Sequence, residues 1–174
     1  MSAGQPGARV VLVPGVLALL PEHAGLVDPV AALRRACHEA VAWLGADVMV
    51  LAHGTGLPVA EHLLASTPRD AGPTAAGGAA SYLVVGNGTA TRSEKAPGHL
   101  DERAHAFDDA LRVALLDDPD ALRHLDLELG AELWADVAQL PAIADLVGPG
   151  AEVVVDHDDD PYGVQYWVVR WSVR

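Results

Sequence analysis

The sequence predicts an α/β fold in which a central, mostly parallel sheet is flanked by helices. Three short apolar runs, at 10–13, 47–52 and 82–85, have the composition of buried strands. Segments with helical spacing of apolar residues follow each of them, as is typical of alternating strand and helix units. The chain returns to strand patterns at 152–155 and 164–173, which predicts a hairpin-like pair at one edge of the sheet.

The length of the chain bounds its organisation. With 174 residues, of which 51% are hydrophobic, the chain has the usual size of one domain and can bury a core. We therefore expect a single domain over 1–174, with a loose terminus at 1–8. The segment 66–80 is rich in Pro, Gly, Ala and Thr, and is expected to be a flexible connection rather than a domain boundary.

Charge and cysteine content narrow the functional classes. The chain has 24 acidic and 11 basic residues, a formal charge of −13, and no Lys/Arg cluster, so nucleic acid and anionic membranes are not expected partners. Cys37 is the only cysteine, which rules out an intrachain disulfide, and we expect it to be a small buried apolar residue.

No run reaches the ~18 apolar residues of a membrane-spanning helix, and Pro14 and Gly15 interrupt the apolar run 10–20. We expect a cytoplasmic protein.

Helix boundaries follow from caps and spacing. Asp28 is expected to cap a helix with Pro29 at its first position and Gly45 as its stop. This helix and the strands around it predict a parallel, right-handed strand, helix, strand unit. Further helices are predicted over 58–65, from Asp101 onward, over 120–125 and over 129–140.

A polar loop from Gly86 to Arg103 follows the third strand, at the carboxyl edge where open parallel sheets bind ligands. Within it, Arg92 or Lys95 is suited to bind a carboxylate or phenolate. An ordinary solvated loop is the competing interpretation. The candidate ligand-binding residues are Asn87, Thr89, Thr91, Arg92, Ser93, Glu94, Lys95, His99 and Tyr162.

Two histidines are candidate metal ligands. His53 follows the second strand and is placed to reach the same edge, as a metal ligand or a base, although a structural histidine is the competing interpretation. His23 is the second candidate, and the histidine spacings match no zinc pattern. The acidic run Asp156 to Asp160 lacks the spacing of a calcium loop, so a solvated acidic turn is expected. No catalytic residue is identified.

Three stretches carry a resemblance to a known family. They are Val10 to Glu22 (VVLVPGVLALLPE), Val84 to Asp101 (VVGNGTATRSEKAPGHLD) and Asp160 to Trp171 (DPYGVQYWVVRW). In these stretches the chain resembles the class III extradiol dioxygenase family of LigB-like proteins, a superfamily that includes Memo-type proteins, and in particular its small actinobacterial branch. The resemblance runs in order over nearly the whole chain, and the middle stretch is the most specific.

The resemblance implies an α/β fold and, in catalytic members, a non-haem Fe(II) that cleaves a catechol ring with dioxygen. Two histidines and a carboxylate hold that iron, and another histidine acts as acid and base. In this chain the first-strand metal histidine falls on Leu12, and the acid/base histidine falls on Arg92, which cannot titrate near neutrality. His53 remains a candidate ligand. We expect the fold to be kept and the ring-cleaving machinery to be lost.

Three functions stay open. The first is a non-catalytic or catalytically altered relative that binds a small anionic or aromatic ligand at the strand-end loop. The second is a ring-cleaving dioxygenase that uses Fe(II) or another divalent metal on relocated ligands, such as His23, His53 and an acid of the C-terminal run. The third is an interaction subunit, in a homo-oligomer or with a partner, whose apolar face includes Tyr166, Trp167 and Trp171. Alternation along the strand predicts that some of these aromatics are core instead.

Overall fold

The computed structural model describes residues 7–69 and 79–174. The predicted loose terminus therefore lies outside the described residues except for Gly7 and Ala8. Most of the predicted connection 66–80 also lies outside them, at 70–78.

All five strands of the described chain belong to one mixed sheet, in the order β2-β3-β1-β5-β4. Strands β2, β3 and β1 are parallel to each other, whereas β5 pairs antiparallel with both β1 and β4. This confirms the predicted α/β class and the hairpin-like pair, with β4 at the sheet edge. The strands are β1 (Arg9–Val13), β2 (Val48–Leu51), β3 (Ser81–Val85), β4 (Glu152–Asp159) and β5 (Tyr166–Ser172).

Helices cover both faces of the sheet. The α-helices are α1 (Ala31–Ala42), α2 (Gly56–Ser66), α3 (Ala104–Leu116), α4 (Leu127–Glu132) and α5 (Pro141–Val147). Short 3₁₀ helices occupy Leu17–Leu19, Pro21–His23 and Pro119–His124. No helix among the described residues is long and apolar enough to cross a membrane.

The core consists of two layers that the sheet separates, because successive side chains of a strand point to opposite faces. In β1, Val11 and Val13 pack against α1 and α2, whereas Val10 and Leu12 pack against the layer formed by α3 and α5. Cys37 is buried in the first layer, and burial raises the pKa of its thiol to about 12. It is thus a small apolar core residue, as predicted.

The C-terminal aromatic residues are part of this core. Trp167 and Trp171 are buried on the α3 side, and Tyr166 is buried on the α1 side. The prediction that alternation makes them core residues is confirmed. The expectation that they form part of an apolar face for a partner is wrong, because core layers on both faces of the sheet bury all three side chains.

Three local predictions are corrected. Helix α1 begins at Ala31 rather than at Pro29, and the Asp28 carboxylate accepts the backbone N–H of Val30 just before it. Of the helix predicted over 129–140, only residues 129–132 are helical, as the end of α4, and the rest is an irregular connection that leads to α5. The connection turns at Trp134, whose φ of 58° is left-handed and cannot continue a helix.

The acidic run Asp156 to Asp160 is also not a solvated turn, because residues up to Asp159 belong to strand β4. Pairing with β5 overrides the low strand propensity of aspartate. The run is paired with arginines: Arg170 Nε donates to Asp156 Oδ2 at 2.6 Å, and Arg112 Nε donates to Asp158 Oδ2 at 2.6 Å.

Leu111 of α3 is buried in the core, so we expect Leu111→Ala to lower the free energy of unfolding by about 2–5 kcal/mol through lost burial and a cavity. Val113→Ala, at an exposed position of the same helix, should change it by only about 0.5 kcal/mol. Urea unfolding followed by circular dichroism measures both. Equal losses for the two variants would contradict the burial of this face of α3.

Candidate ligand-binding site

A cleft of about 580 Å³ lies at the carboxyl ends of β1, β2 and β3. Because these strands are parallel neighbours, the residues that follow them meet at one edge of the sheet. The start of β5 and the connection between α4 and α5 close the cleft from the other side. Its lining residues are Gly15 and Val16 after β1, His53 and Thr55 after β2, Asn87, Ala90 and Pro97 after β3, Ala131, Trp134, Ala135 and Asp136 around the helix connection, and Val164 and Tyr166 at β5.

The segment that follows β3 is held by backbone hydrogen bonds on both of its sides. On one side the N–H of Asn87 donates to the carbonyl of Asp136 at 2.9 Å, and the N–H of Asp136 donates back to Asn87 at 3.1 Å. On the other side Gly88 donates to Gln165 at 2.9 Å, and Gln165 donates to Thr89 at 3.0 Å. The segment therefore lies between two neighbouring chain segments, like a short central strand.

A buried carboxylate completes this arrangement. Asp108 of α3 is only 2% exposed and accepts hydrogen bonds from the N–H and the hydroxyl of Thr89, at 2.9 and 2.7 Å. Arg92 Nη1 donates to the same carboxylate at 2.9 Å, and Arg92 Nε donates to Asp160 at 2.7 Å. The guanidinium of Arg92 thus bridges α3 and the end of β4.

The predicted ligand-binding residues fall into separate groups in the structure. Asn87 lines the cleft, together with the predicted metal candidate His53. Thr89 and Thr91 are buried, and Arg92 is engaged in its two ion pairs, so these three side chains stabilise the loop itself. The remaining candidates are partly or fully exposed and do not line the cleft: Ser93, Glu94, Lys95, His99 and Tyr162.

His53 and Asp136 are the titratable pair of the cleft. His53 Nδ1 lies 3.9 Å from Asp136 Oδ1, beyond hydrogen-bond distance. Burial raises the pKa of the Asp136 carboxyl above its ordinary value, and the nearby imidazole of His53 opposes that rise in part. The pair therefore combines an exposed imidazole with a carboxyl group that is harder to ionise than usual.

Trp134 forms an aromatic wall of the cleft. The residue is 60% exposed, an unusual state for so large an apolar surface. The indole approaches Gly98 so closely that a Cβ there would lie 3.2 Å from Trp134 Cδ2 and 2.6 Å from Thr91 Cγ2. A glycine at position 98 thus leaves room for the ring beside the loop.

The cleft does not fit a metal held by two histidines and a carboxylate. It offers one histidine and one carboxylate, and His23 is not among its lining residues. Within residues 7–69 and 79–174, no group of three or more His, Cys, Asp or Glu side chains is arranged to hold a metal ion. The C-terminal aspartates Asp156, Asp158 and Asp160 are engaged by arginines instead.

Trp134 and Asp136 were not among the candidates that the sequence suggested. Both lie in the segment 129–140 that the sequence predicts as a helix, so the sequence does not place them at the edge of the sheet. Pro141 is the one local indication, since proline favours the first position of a helix and so indicates that a new helix begins there. Nothing in the sequence marks the left-handed turn, because tryptophan is not a residue that favours positive φ.

Comparison with known proteins assigns no family to the chain. No protein-family model matches it, and no curated protein is significantly similar to it. Function is therefore inferred from the residues of the cleft.

We expect Arg92→Met to lower the free energy of unfolding by about 3–5 kcal/mol, because it leaves the Asp108 carboxylate buried without its charged partner. Arg112→Met removes an ion pair with Asp158 at the surface, and should cost at most about 1 kcal/mol. Urea unfolding of both variants tests this. Similar small losses of free energy of unfolding in the two variants would mean that the buried Asp108 carboxylate does not need Arg92 as its charged partner.

We expect the free energy of unfolding of Asp136→Asn to rise relative to that of the native chain as the pH increases. The raised pKa means that the folded protein holds this proton more tightly than the unfolded chain, so ionisation on raising the pH through the folded pKa costs stability. This pH-dependent difference in free energy of unfolding between the variant and the native chain should be absent at acid pH and largest near neutrality. Urea unfolding from about pH 4 to about pH 8 measures it, with the exposed Asp109→Asn as control. A difference that shrinks with rising pH would contradict this sign.

Proposed function

We propose that the chain is a LigB-like protein of the class III extradiol dioxygenase family, non-catalytic or catalytically altered, that binds a small aromatic ligand in the cleft at the carboxyl ends of β1, β2 and β3. The family in this proposal rests on the resemblance of the three sequence stretches, and the observation that carries the proposed ligand is the composition of the cleft. Apolar and aromatic walls surround a few polar groups, which is the usual make-up of small-molecule sites. Its volume of about 580 Å³ also suits a small ligand.

The walls and the polar groups have separate roles in this proposal. Trp134 and Tyr166 provide aromatic surface, and Val164 and Pro97 add apolar contact. An aromatic ring stacked on or against them gains both burial and favourable ring geometry. The hydrogen-bonding groups that fix the orientation of a bound molecule are supplied by His53, Thr55, Asn87 and Asp136.

Two residues support the absence of ring-cleaving chemistry. Leu12, at the position of a metal-binding histidine in the resembled enzymes, is completely buried in the core and offers no ligand atom. Arg92, at the position of their acid/base histidine, is held by Asp108 and Asp160. Since the described lining of the cleft also offers only one histidine and one carboxylate, we assign no step to Fe(II) or another divalent metal.

The lining favours an aromatic over an anionic ligand. Neither Arg92 nor Lys95 lines the cleft, and in the described parts of the chain no other lysine or arginine does so. A carboxylate or phenolate would therefore meet Asp136 without a compensating cation, and its desolvation would be unfavourable.

The test compares two neutral alcohols of similar shape, benzyl alcohol and cyclohexylmethanol, by isothermal titration calorimetry. We expect benzyl alcohol to bind more tightly, and Trp134→Ala to weaken its binding by about tenfold, equal to about 1.4 kcal/mol. Met49→Ala is the matched control, because Met49 is 62% exposed but lies at the β2 edge outside the cleft. Binding that is unchanged in Trp134→Ala, or absent for both alcohols, would overturn the proposal.

A further inference from the structure

We propose that the ligand of this cleft carries a positive charge, and that a protonated amine binds between the carboxylate of Asp136 and the indole of Trp134. The inference rests on the proposed function, since it concerns the same cleft. A cationic ligand differs from the anionic ligand that the sequence suggested. The inference follows from the geometry of three residues: Asp136, Trp134 and Gly15.

The Asp136 carboxylate is a half-buried acceptor that receives no hydrogen bond from any side chain or N–H among the described residues. Its side chain is 24% exposed, and its nearest charged neighbour, His53 Nδ1, is 3.9 Å away. On the other side is Gly15, where a Cβ would lie 3.3 Å from Asp136 Oδ2. Both neighbours line the cleft, so the carboxylate lies at its floor with hydrogen-bonding capacity to spare.

The backbone keeps this carboxylate in place. Asp136 exchanges two backbone hydrogen bonds with Asn87, which forms an isolated antiparallel bridge. These backbone hydrogen bonds fix the position from which the Asp136 side chain lines the cleft. Leaving a partly buried acceptor without a donor is unfavourable, and a ligand ammonium group would supply that donor together with the opposite charge.

The charge balance of the lining favours a cation. Among the described residues, Asp136 is the only acidic one that lines the cleft, and His53 is the only basic one, with its side chain 66% exposed to solvent. Tyr166 is the remaining titratable group there, and burial raises the pKa of its phenol further above neutrality. The lining thus places an acidic side chain without a lysine or arginine beside it among the described residues, within a chain whose formal charge is −13.

Trp134 provides the second contact for a cation. The face of a tryptophan ring attracts ammonium groups more strongly than any other side-chain ring. The left-handed φ of 58° at Trp134 is strained for a bulky residue, and such conformations cluster at ligand sites. The aromatic and apolar walls then accept the body of the amine. The ligand class is a small primary amine with an aromatic or apolar body.

The experiment uses three probes of nearly equal shape and different charge: 2-phenylethylamine, 2-phenylethanol and 3-phenylpropanoate. Each is titrated into the native chain near neutral pH by isothermal titration calorimetry. We expect the amine to bind at least about tenfold more tightly than the alcohol, and the carboxylate to bind most weakly. Asp136→Asn should reduce the preference for the amine to less than about threefold while the alcohol binds as before.

The control separates a specific carboxylate from the overall charge of the chain. Asp109→Asn changes the net charge by the same amount at an exposed position of α3 outside the cleft, and should leave the preference for the amine unchanged.

The outcomes of the titrations separate this inference from the proposed function. If none of the probes binds the native chain, the proposed function fails. If the alcohol binds and the amine binds no more tightly, the site stands and the inference of a cation is overturned. An undiminished preference in Asp136→Asn would overturn it as well.

Discussion

The buried carboxylate of Asp108 is the interaction on which the arrangement around the cleft depends. Removing an ionised carboxylate from water costs several kcal/mol unless charges and hydrogen bonds compensate it. Here the backbone and hydroxyl of Thr89 and the guanidinium of Arg92 provide that compensation. Because Arg92 also pairs with Asp160, one group connects α3, the segment after β3 and the end of β4. The wall that carries Asn87 is fixed as a result.

The glycines of the segment after β3 have a packing role in the same arrangement. A Cβ at Gly86 would lie 2.7 Å from the carbonyl oxygen of Asp136, and one at Gly88 would lie 2.6 Å from Asp108 Oδ1. Both distances are shorter than real contacts allow, so any larger residue would push neighbouring segments apart. The Gly-Asn-Gly sequence, which suggests close approach to a ligand, is thus explained by close approach of the protein to itself. Its effect on the site is indirect, through the positions of Asn87 and Asp136.

The sequence was sufficient for the elements whose pattern is local. The apolar runs of β1, β2 and β3 and the helical spacing of α3 determine those elements, and the parallel strands bring His53 and Asn87 to one edge. It was insufficient where a distant partner decides the conformation. The acidic run becomes a strand because β5 and two arginines lie beside it, and the left-handed turn at Trp134 lies next to the bridge between Asn87 and Asp136. Local patterns therefore do not reveal the charged floor of the cleft or its aromatic wall.

Within 7–69 and 79–174, the residues that line the cleft include the carboxylate of Asp136 and the aromatic side chain of Trp134 but no lysine or arginine. The positively charged groups that the sequence suggested for this site hold the loop or lie outside the cleft. The central claim is that binding occurs at this edge of the sheet. Amide chemical-shift mapping with 2-phenylethylamine tests it most directly. We predict that the largest shifts fall on Gly15, His53, Asn87 and Asp136. Shifts confined to the exposed loop around Lys95, or to the opposite end of the sheet around Val153, would contradict the account.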